Sequence, residues 1–518
     1  MKKWLSVLMT LCLCLGMANA QAQEWTEATY IVLSDEQVTV NGETASADET
    51  AAVYTANDIV FYLAGQDFTY GEGAAWEGHT QEEADAHTVV HITQPGTYVL
   101  SGQMSAGQIA VEIKDGKKDP EAVVTLVLNG VDLTCSVAPA VIFYNVYECS
   151  EANEETATMT VDTSAAGANI VIADDTVNHV TGSHVARIYE PGSVELNEAG
   201  TEVEEAEKLH KYDAAFYSKR TMNVNGGEKG TGVLNINADN EGLDSELHLT
   251  INGGHINIFS GNDGINTNED NVSVTTVNGG SLTISVHGST GEGDGIDSNG
   301  YLVINGGSVV SAACGFSGDA GIDSDKGIYI NGGEVCATGN MFDHIAGGDA
   351  PYMVLSFSSR VAGGSVIAMK NEAGETVAEW LPDNDFAYLV VSGQAVQPGS
   401  YTLWQGETQL GYTGTTVRAF GGMGGMNPPE GFDRGWMMRP EDFEMPEGMD
   451  PPEGFDPSQM TPPEGFERPE GQRPREDGRG FGGRGGRGGF DQQGGEMQTV
   501  FVITEEGGTY SGVGAMAE

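Results

Sequence analysis

Short apolar runs ending at or near turn residues dominate the chain from Thr97 onward: TYVLSG, QIAVEI, AVVTLVLNG, AVIFYNV and NIVIADD each stop by Gly, Asn or Asp. No amphipathic helical period lies between them. Such runs in series predict an all-β chain. Upstream, EATYIVL and DIVFYLAG are strand-like, and EGHTQEEADAHT reads as a polar loop.

The apolar pattern then becomes periodic. Asn-Gly-Gly recurs at Asn225, Asn252, Asn278, Asn305 and Asn331, at intervals of 27, 26, 27 and 26. Three positions before each Asn stand Met222, Leu249, Thr275, Leu302 and Ile328; one before stand Val224, Ile251, Val277, Ile304 and Ile330. Residues two apart on a strand share a face, so one apolar face repeats ahead of each turn. Four positions after stand Lys229, Ile256, Leu282, Val309 and Val335. Thr275 and Lys229 break the pattern, and EKGTG around Lys229 looks like an insertion. A period of this length means stacked units. It is too short for a propeller blade, and the nonapeptide signature of the calcium β-roll is missing. The expected fold is all-β: a right-handed parallel β-helix with a small C-terminal antiparallel β-domain.

The remaining segments divide as follows. Residues 1–20 read as a signal peptide: Lys2 and Lys3, an apolar run from Leu5 to Met17, then Ala18-Asn19-Ala20, a run too short to span a bilayer. Residues 24–95 are an N-terminal lead-in and 96–350 the β-helix. Residues 351–419 with 498–518 form the C-terminal β-domain. Between them, 420–497 is Pro-, Gly-, Met- and Arg-rich, repeats PPEGF, and is expected to be a disordered insertion. The chain is expected to be secreted or at the cell surface, with no membrane span, and monomeric.

Charge narrows the partners. Across 518 residues, 76 acidic side chains face 23 basic ones, a net charge of −53. That field repels nucleic acid and anionic membranes, and repels acidic polysaccharides unless a divalent cation bridges the two. Beyond the leader, Cys135, Cys149, Cys314 and Cys336 lack zinc-site spacing and read as buried small residues or one or two disulfides.

The acids recur with the repeat. EGLDS, DGINT, DGIDS and AGIDS begin at residues 241, 263, 294 and 320, and the first repeat has AAFYS with Tyr217 in place of the acid. Stacked, Asp244, Asn266, Asp297 and Asp323 form one column and Ser218, Ser245, Thr267, Ser298 and Ser324 the next, with Leu243, Ile265, Ile296 and Ile322 in the core. Four extra residues in the Asn266 repeat either displace the column or loop out. Like charges about 4.8 Å apart demand protonation, amide replacement or a cation. Calcium takes the oxygen donors this turn supplies, which makes Asp244, Asp263, Asn266, Asp294, Asp297, Asp319, Asp323 and Asp325 candidate ligands for Ca2+. The competing reading is that Asp and Ser cap turns by binding nearby amides.

Between residues 230 and 350 stand 16 acids and one basic residue, Lys326, a poor supply of base for a lyase. Lys326 reads as a charge partner of Asp323 or Asp325. His248, His255, His287 and His344 do not cluster and read as surface residues. Tyr301 and Tyr329 lie on the outward face and are candidate carbohydrate-binding residues.

DGIDSNGYLVINGGSV and AGIDSDKGIYINGGEV, with upstream VVTLVLNGVDLTCSVAPAVIFYN and DAAFYSKRTMNVNGG, resemble the secreted bacterial carbohydrate-binding-domain proteins that have a pectate-lyase-like β-helix. The resemblance implies a calcium-containing, non-catalytic binder of polysaccharide, acidic glycans such as polygalacturonate and also cellulose. It would carry metal roles onto Asp244, Asp294, Asp297 and Asp323, with Asp263 and Asn266 as weaker matches. Tyr217 and Ala320 depart from its acidic pattern. Two alternatives stay open: a lyase or glycosidase, and a structural or adhesive surface protein.

Overall fold

The computed structural model describes Trp25, residues 27–417 and residues 497–516. The expected leader at 1–20 and most of the 420–497 segment lie outside these residues.

The chain is all-β, and its organising feature is parallel pairing of successive repeats. The first ladder runs Thr88–Ile92, Gly107–Glu112, Val141–Asn145, Ala214–Ser218, Glu241–Ser245, Ile265–Thr267, Ile296–Ser298. The second runs from Gly96–Met104 through Val124–Thr134, Ala168–Ile172, Met222–Gly226, His248–Ile251, Val274–Val277 and Tyr301–Ile304 to Ile328–Ile330. The third leaves the end of Val124–Thr134 for Val177–Gly182, Val233–Ala238, His255–Ser260, Ser281–Val286, Ser308–Ala312 and Glu334–Gly339. The central repeats thus give one strand to each ladder.

Alternation puts the apolar columns inside. Phe216, Leu243, Ile265 and Ile296 are in register and fully buried, as are Leu249, Leu302 and Ile328 in the second ladder. Full burial of one such side chain contributes about 1.5–3 kcal/mol. Thr275 interrupts the column, and its buried hydroxyl pairs with that of Thr267 at 3.0 Å. In the third ladder Leu234, not Lys229, is in register with Ile256. The inserted loop displaces Lys229 into solvent, where it pairs with Asp175 at 2.8 Å.

The Asn-Gly-Gly turn joins the second and third ladders. Its second glycine has φ of +84° at Gly280 and +80° at Gly307. A Cβ on Gly280 would sit 2.5 Å from the carbonyl oxygen of Gly254 in the repeat below, so the turn demands glycine for both conformation and space. The asparagines form a chain. Each side-chain amide donates to Oδ1 of the preceding repeat, Asn252 to Asn225, Asn278 to Asn252, Asn305 to Asn278 and Asn331 to Asn305, all at 2.8 Å.

Two readings are corrected locally. The expected loop at EGHTQEEADAHT contains a short helix, Gln81–Asp85, closed by a capping box between Thr80 and Glu83. The T-x-x-E spacing carried that signal. His248 is buried, not at the surface: its Nδ1 accepts the Val274 N–H at 3.0 Å, and burial pushes its pKa down to about 4. Cys135, Cys149, Cys314 and Cys336 are all free thiols.

Beyond the stack, Glu334–Gly339 pairs antiparallel with Phe386–Ser392, which pairs antiparallel with Tyr352–Val361. Gly508–Ala515 adds to Tyr352–Val361 in parallel. A second apolar cluster, including Met353, Leu355, Phe386, Leu403 and Phe501, fills this region. No helix among the described residues is long and apolar enough to cross a membrane.

Candidate functional site on the acidic ladder

The outward positions of the first ladder place Tyr217, Asp244, Asn266 and Asp297 in register. The four extra residues of the Asn266 repeat loop out after Thr267, so the column is not displaced. The next repeat has no strand here, yet Asp323 donates its backbone N–H to Ile296 at 2.7 Å and Asp325 to Ser298 at 3.1 Å. Asp323 therefore follows Asp297. The adjacent hydroxyls are spent on the backbone. Ser245 bonds the carbonyls of Arg220 and His248, Ser298 that of Tyr301, and Ser324 those of Gly300 and Gly327.

The acids fall into two sets. Asp263, Asp294 and Asp319 cap turns. Asp263 accepts the N–H of Asp294 at 2.7 Å, Asp294 that of Ala320 at 2.5 Å, and Asp319 that of Gly293 at 2.7 Å. The column acids are poorly satisfied. Asp244 is buried; one oxygen accepts from the Asn268 amide at 2.8 Å and the other has no partner. Asp297 accepts no hydrogen bond among the described residues and is surrounded by Asp263, Asp323, Asp325 and Asp343.

Neighbouring groups extend the seam. Glu241 accepts from the Asn266 amide at 3.2 Å, while its Oε2 and Asn266 Oδ1 are buried without partners. Both carboxylate oxygens of buried Asp343 are also unpartnered. Lys211 pairs with Asp213 at 2.7 Å at the upstream end. Downstream, Lys326 bears on exposed Asp325 without closing to an ion pair among the described residues. Sequence reasoning missed Glu241, Asn268 and Asp343. Glu241 opens the quoted EGLDS and was legible as an acid at a stacked position; Asp343 comes from outside the motif.

Burial and like charge act together. Burial, then Asp319, Glu292 and Asp323, push Asp263 up to about 7 against the opposing Asp294 N–H. Burial, then Asp343, Asp325 and Asp319, push Asp323 to about 7 against the Ser324 N–H. Burial and neighbouring acids hold Glu241, Asp244, Asp294 and Asp297 well above the usual carboxylate range. No group of three or more carboxylate, imidazole and thiol side chains among the described residues is placed to hold a metal ion. A cation here would draw on amide and backbone oxygens as well. The donor chemistry, all oxygen with buried unpartnered acceptors, fits calcium.

A family model described as carbohydrate-binding domain-containing protein matches residues 86–345, half of the chain. The chain belongs to that carbohydrate-binding family. The match covers the acidic seam and most of the three ladders. Among solved structures, the polysaccharide lyase-like protein from C. thermocellum, in a gadolinium derivative, is similar at 20% identity. It covers 59% of this chain and 92% of that chain, with a TM-score of 0.32. No curated protein matches.

In this carbohydrate-binding family member the two tyrosines of interest are neighbours on the second ladder. The rings of Tyr301 and Tyr329 are 6.4 Å apart and tilted by 41°. Both are half-buried. Tyr329 is in register with Val303, on the face that also carries the asparagine chain.

Proposed function

We propose that this chain is an exported, non-catalytic polysaccharide-binding protein whose three ladders close into a right-handed parallel β-helix, and that calcium on the acidic seam joins it to acidic glycans. The observation that carries this reading is the row of outward carboxylates with too few donors: Asp244, Asp297 and Asp323, beside the unpartnered oxygens of Glu241 and Asp343. Two unit charges at strand spacing repel by about 3–4 kcal/mol at an effective dielectric near 20. Such a row is a poor device for stability and a good one for holding a cation.

Asp244, Asn266, Asp297 and Asp323 would hold calcium, with Asp263, Asp294, Asp319 and Asp325 around them. Bound calcium would offer open positions to uronate carboxylates. The chain's own acids then supply charge balance, and the capped turns keep their backbone rigid. This reconciles an acidic protein with an acidic ligand. Calorimetric titration of polygalacturonate, with calcium and with chelator, tests it: binding in calcium only is expected.

A lyase reading draws on one observation. Burial lowers the pKa of Lys219, which stands over the rings of Tyr144 and Tyr212 near the upstream end of the seam. Unsaturated product accumulating from polygalacturonate, and lost in Lys219→Ala, would favour it.

A further inference from the structure

The strands Val185–Tyr189 and Lys208–Tyr212 pair antiparallel in a two-stranded sheet outside the three ladders. The N-terminal lead-in is bonded to their edge. Gly71 bridges Ile188 antiparallel, Tyr189 donates its N–H to the Tyr70 carbonyl at 2.9 Å, and Glu72 donates to that of Arg187 at 2.9 Å. A Cβ on Gly71 would collide with the Arg187 carbonyl oxygen, so glycine is what lets the two backbones meet. Between the lead-in and this strand pair lies a cleft of about 500 Å³, the size of a small-ligand site. The turn that follows Tyr189 is tied as well. Ser193 donates its N–H to the Glu190 carbonyl at 3.0 Å and its hydroxyl to the same oxygen at 2.8 Å, and Glu207 donates its N–H to Ser193 Oγ at 3.0 Å.

The lining is apolar and acidic. Ile59, Ile188 and Leu209 supply aliphatic surface, and Phe61, Tyr70 and Tyr189 supply aromatic surface. The Tyr70 ring packs on buried Tyr62, centroids 5.1 Å apart and inclined by 63°, and the Tyr189 hydroxyl donates to Glu72 at 3.1 Å. Both rings are thereby anchored. Asp67 and Glu190 are the acids of the lining, and no lysine or arginine is among its residues. His210 also lines the cleft and adds no charge at neutral pH. Its Nδ1 bonds the Tyr212 hydroxyl at 2.8 Å, and burial, then Lys219, hold its pKa below the ordinary value against Glu190. The neighbouring cations are engaged elsewhere: Arg187 pairs with Glu72 at 3.2 Å and Lys208 with Glu246 at 3.8 Å. Asp67 stays ionised. Its Oδ1 accepts the Thr69 hydroxyl at 2.6 Å and the Thr69 N–H at 2.9 Å, which lowers its pKa. Its other oxygen accepts no hydrogen bond among the described residues.

We propose that this cleft binds a small organic cation with an apolar body, an aryl- or alkylammonium. The inference stands apart from the carbohydrate-binding reading and from the acidic seam. The apolar walls take the hydrocarbon part out of water. The ammonium donates to the unshared oxygen of Asp67, with Glu190 as a second counter-charge, and the aromatic walls attract a cation through their ring quadrupoles. A neutral analogue of the same shape keeps only the apolar term. An anion meets two carboxylates and the field of a −53 chain. A bare metal ion needs six or more oxygens, which walls this apolar do not supply.

The test is ligand-observed NMR titration of the full chain, in chelator at neutral pH and moderate salt, with three probes of one shape: phenethylammonium, phenethyl alcohol and phenylacetate. Leu209→Trp fills the cleft from a side chain that is 38% exposed, Asp67→Asn removes the charge, and Asp297→Asn alters only the seam. Thermal melting checks that each variant is folded. Phenethylammonium is expected to bind saturably, the alcohol tenfold or more weakly, and phenylacetate not at all. Phenethylammonium binding is expected to weaken fivefold or more in Asp67→Asn and tenfold or more in Leu209→Trp, and to be unchanged in Asp297→Asn. Absence of saturable binding overturns the proposal, as does an alcohol that binds as tightly as the cation, or cation binding that survives Leu209→Trp. The comparison of cation with alcohol uses the unaltered chain and decides the matter even where a variant does not fold. Polygalacturonate enters none of these readouts, so failure here leaves the reading of the seam intact.

Discussion

The carboxylate of Asp263 accepts the backbone N–H of Asp294, one repeat further along the stack, at 2.7 Å. Asp294 does the same for Ala320. These acids stitch turn to turn, whereas Asp297, three residues after Asp294, has no such partner among the described residues. The DGID motif, Asp294 to Asp297, therefore holds one acid that caps a turn and one that does not.

That division predicts opposite effects for two conservative changes. Asp297→Asn removes a like charge and copies what Asn266 already does next to it. In chelator it is expected to stabilise the fold by about 1 kcal/mol while abolishing stabilisation by calcium. Asp294→Ala strips a cap from the Ala320 N–H and is expected to cost about 1–3 kcal/mol wherever calcium is held constant. Urea unfolding with and without calcium measures both.

The seam also sets a pH dependence. Burial and neighbouring acids push Asp263 and Asp323 up to about 7 from the ordinary carboxylate value of 3.8. The folded state then binds more protons than the unfolded one, so these groups contribute most below pH 4 and lose that contribution as pH rises through about 7. In chelator, Tm is expected to fall from pH 5 to pH 8. Calcium, which binds the ionised form, is expected to flatten or reverse the fall. A chelated protein whose Tm rises over that window contradicts the electrostatic account.

The asparagine chain predicts a position effect. Asn278→Ala breaks two amide bonds, to Asn252 and from Asn305, whereas Asn331→Ala breaks one. At about 0.5–1.5 kcal/mol per bond, the first is expected to cost roughly twice the second in urea unfolding.

Gly280→Ala is expected to be worse than either. It forces a side chain into φ of +84° and against the Gly254 carbonyl oxygen. A loss of more than about 2 kcal/mol is expected, read as a lowered urea midpoint or poor yield of folded protein.

These contrasts show which features were legible in the chain. The Asn-Gly-Gly interval located the stack because identical turns must superpose, and the apolar columns followed from period-two alternation. Asn266 was placed in the column with two outcomes open for the extra residues of its repeat, and only the strand register shows that they loop out. The distinct duties of Asp294 and Asp297 were not readable. Both are acids in one turn, and only backbone geometry shows which N–H each reaches. Asp343 was invisible for a different reason: it arrives from a segment outside the repeat. Lys229 marked the insertion by breaking the apolar pattern, but only the register shows that Leu234 takes the core place.

We propose that Asp297 and Asp323 hold calcium for an acidic glycan. The most direct measurement is calorimetric titration of polygalacturonate into the full chain and into Asp297→Asn with Asp323→Asn, in calcium and in chelator. Binding in calcium that is lost with chelator, and lost in the folded double variant, is the predicted result. Binding that persists in chelator, or in the double variant, contradicts it.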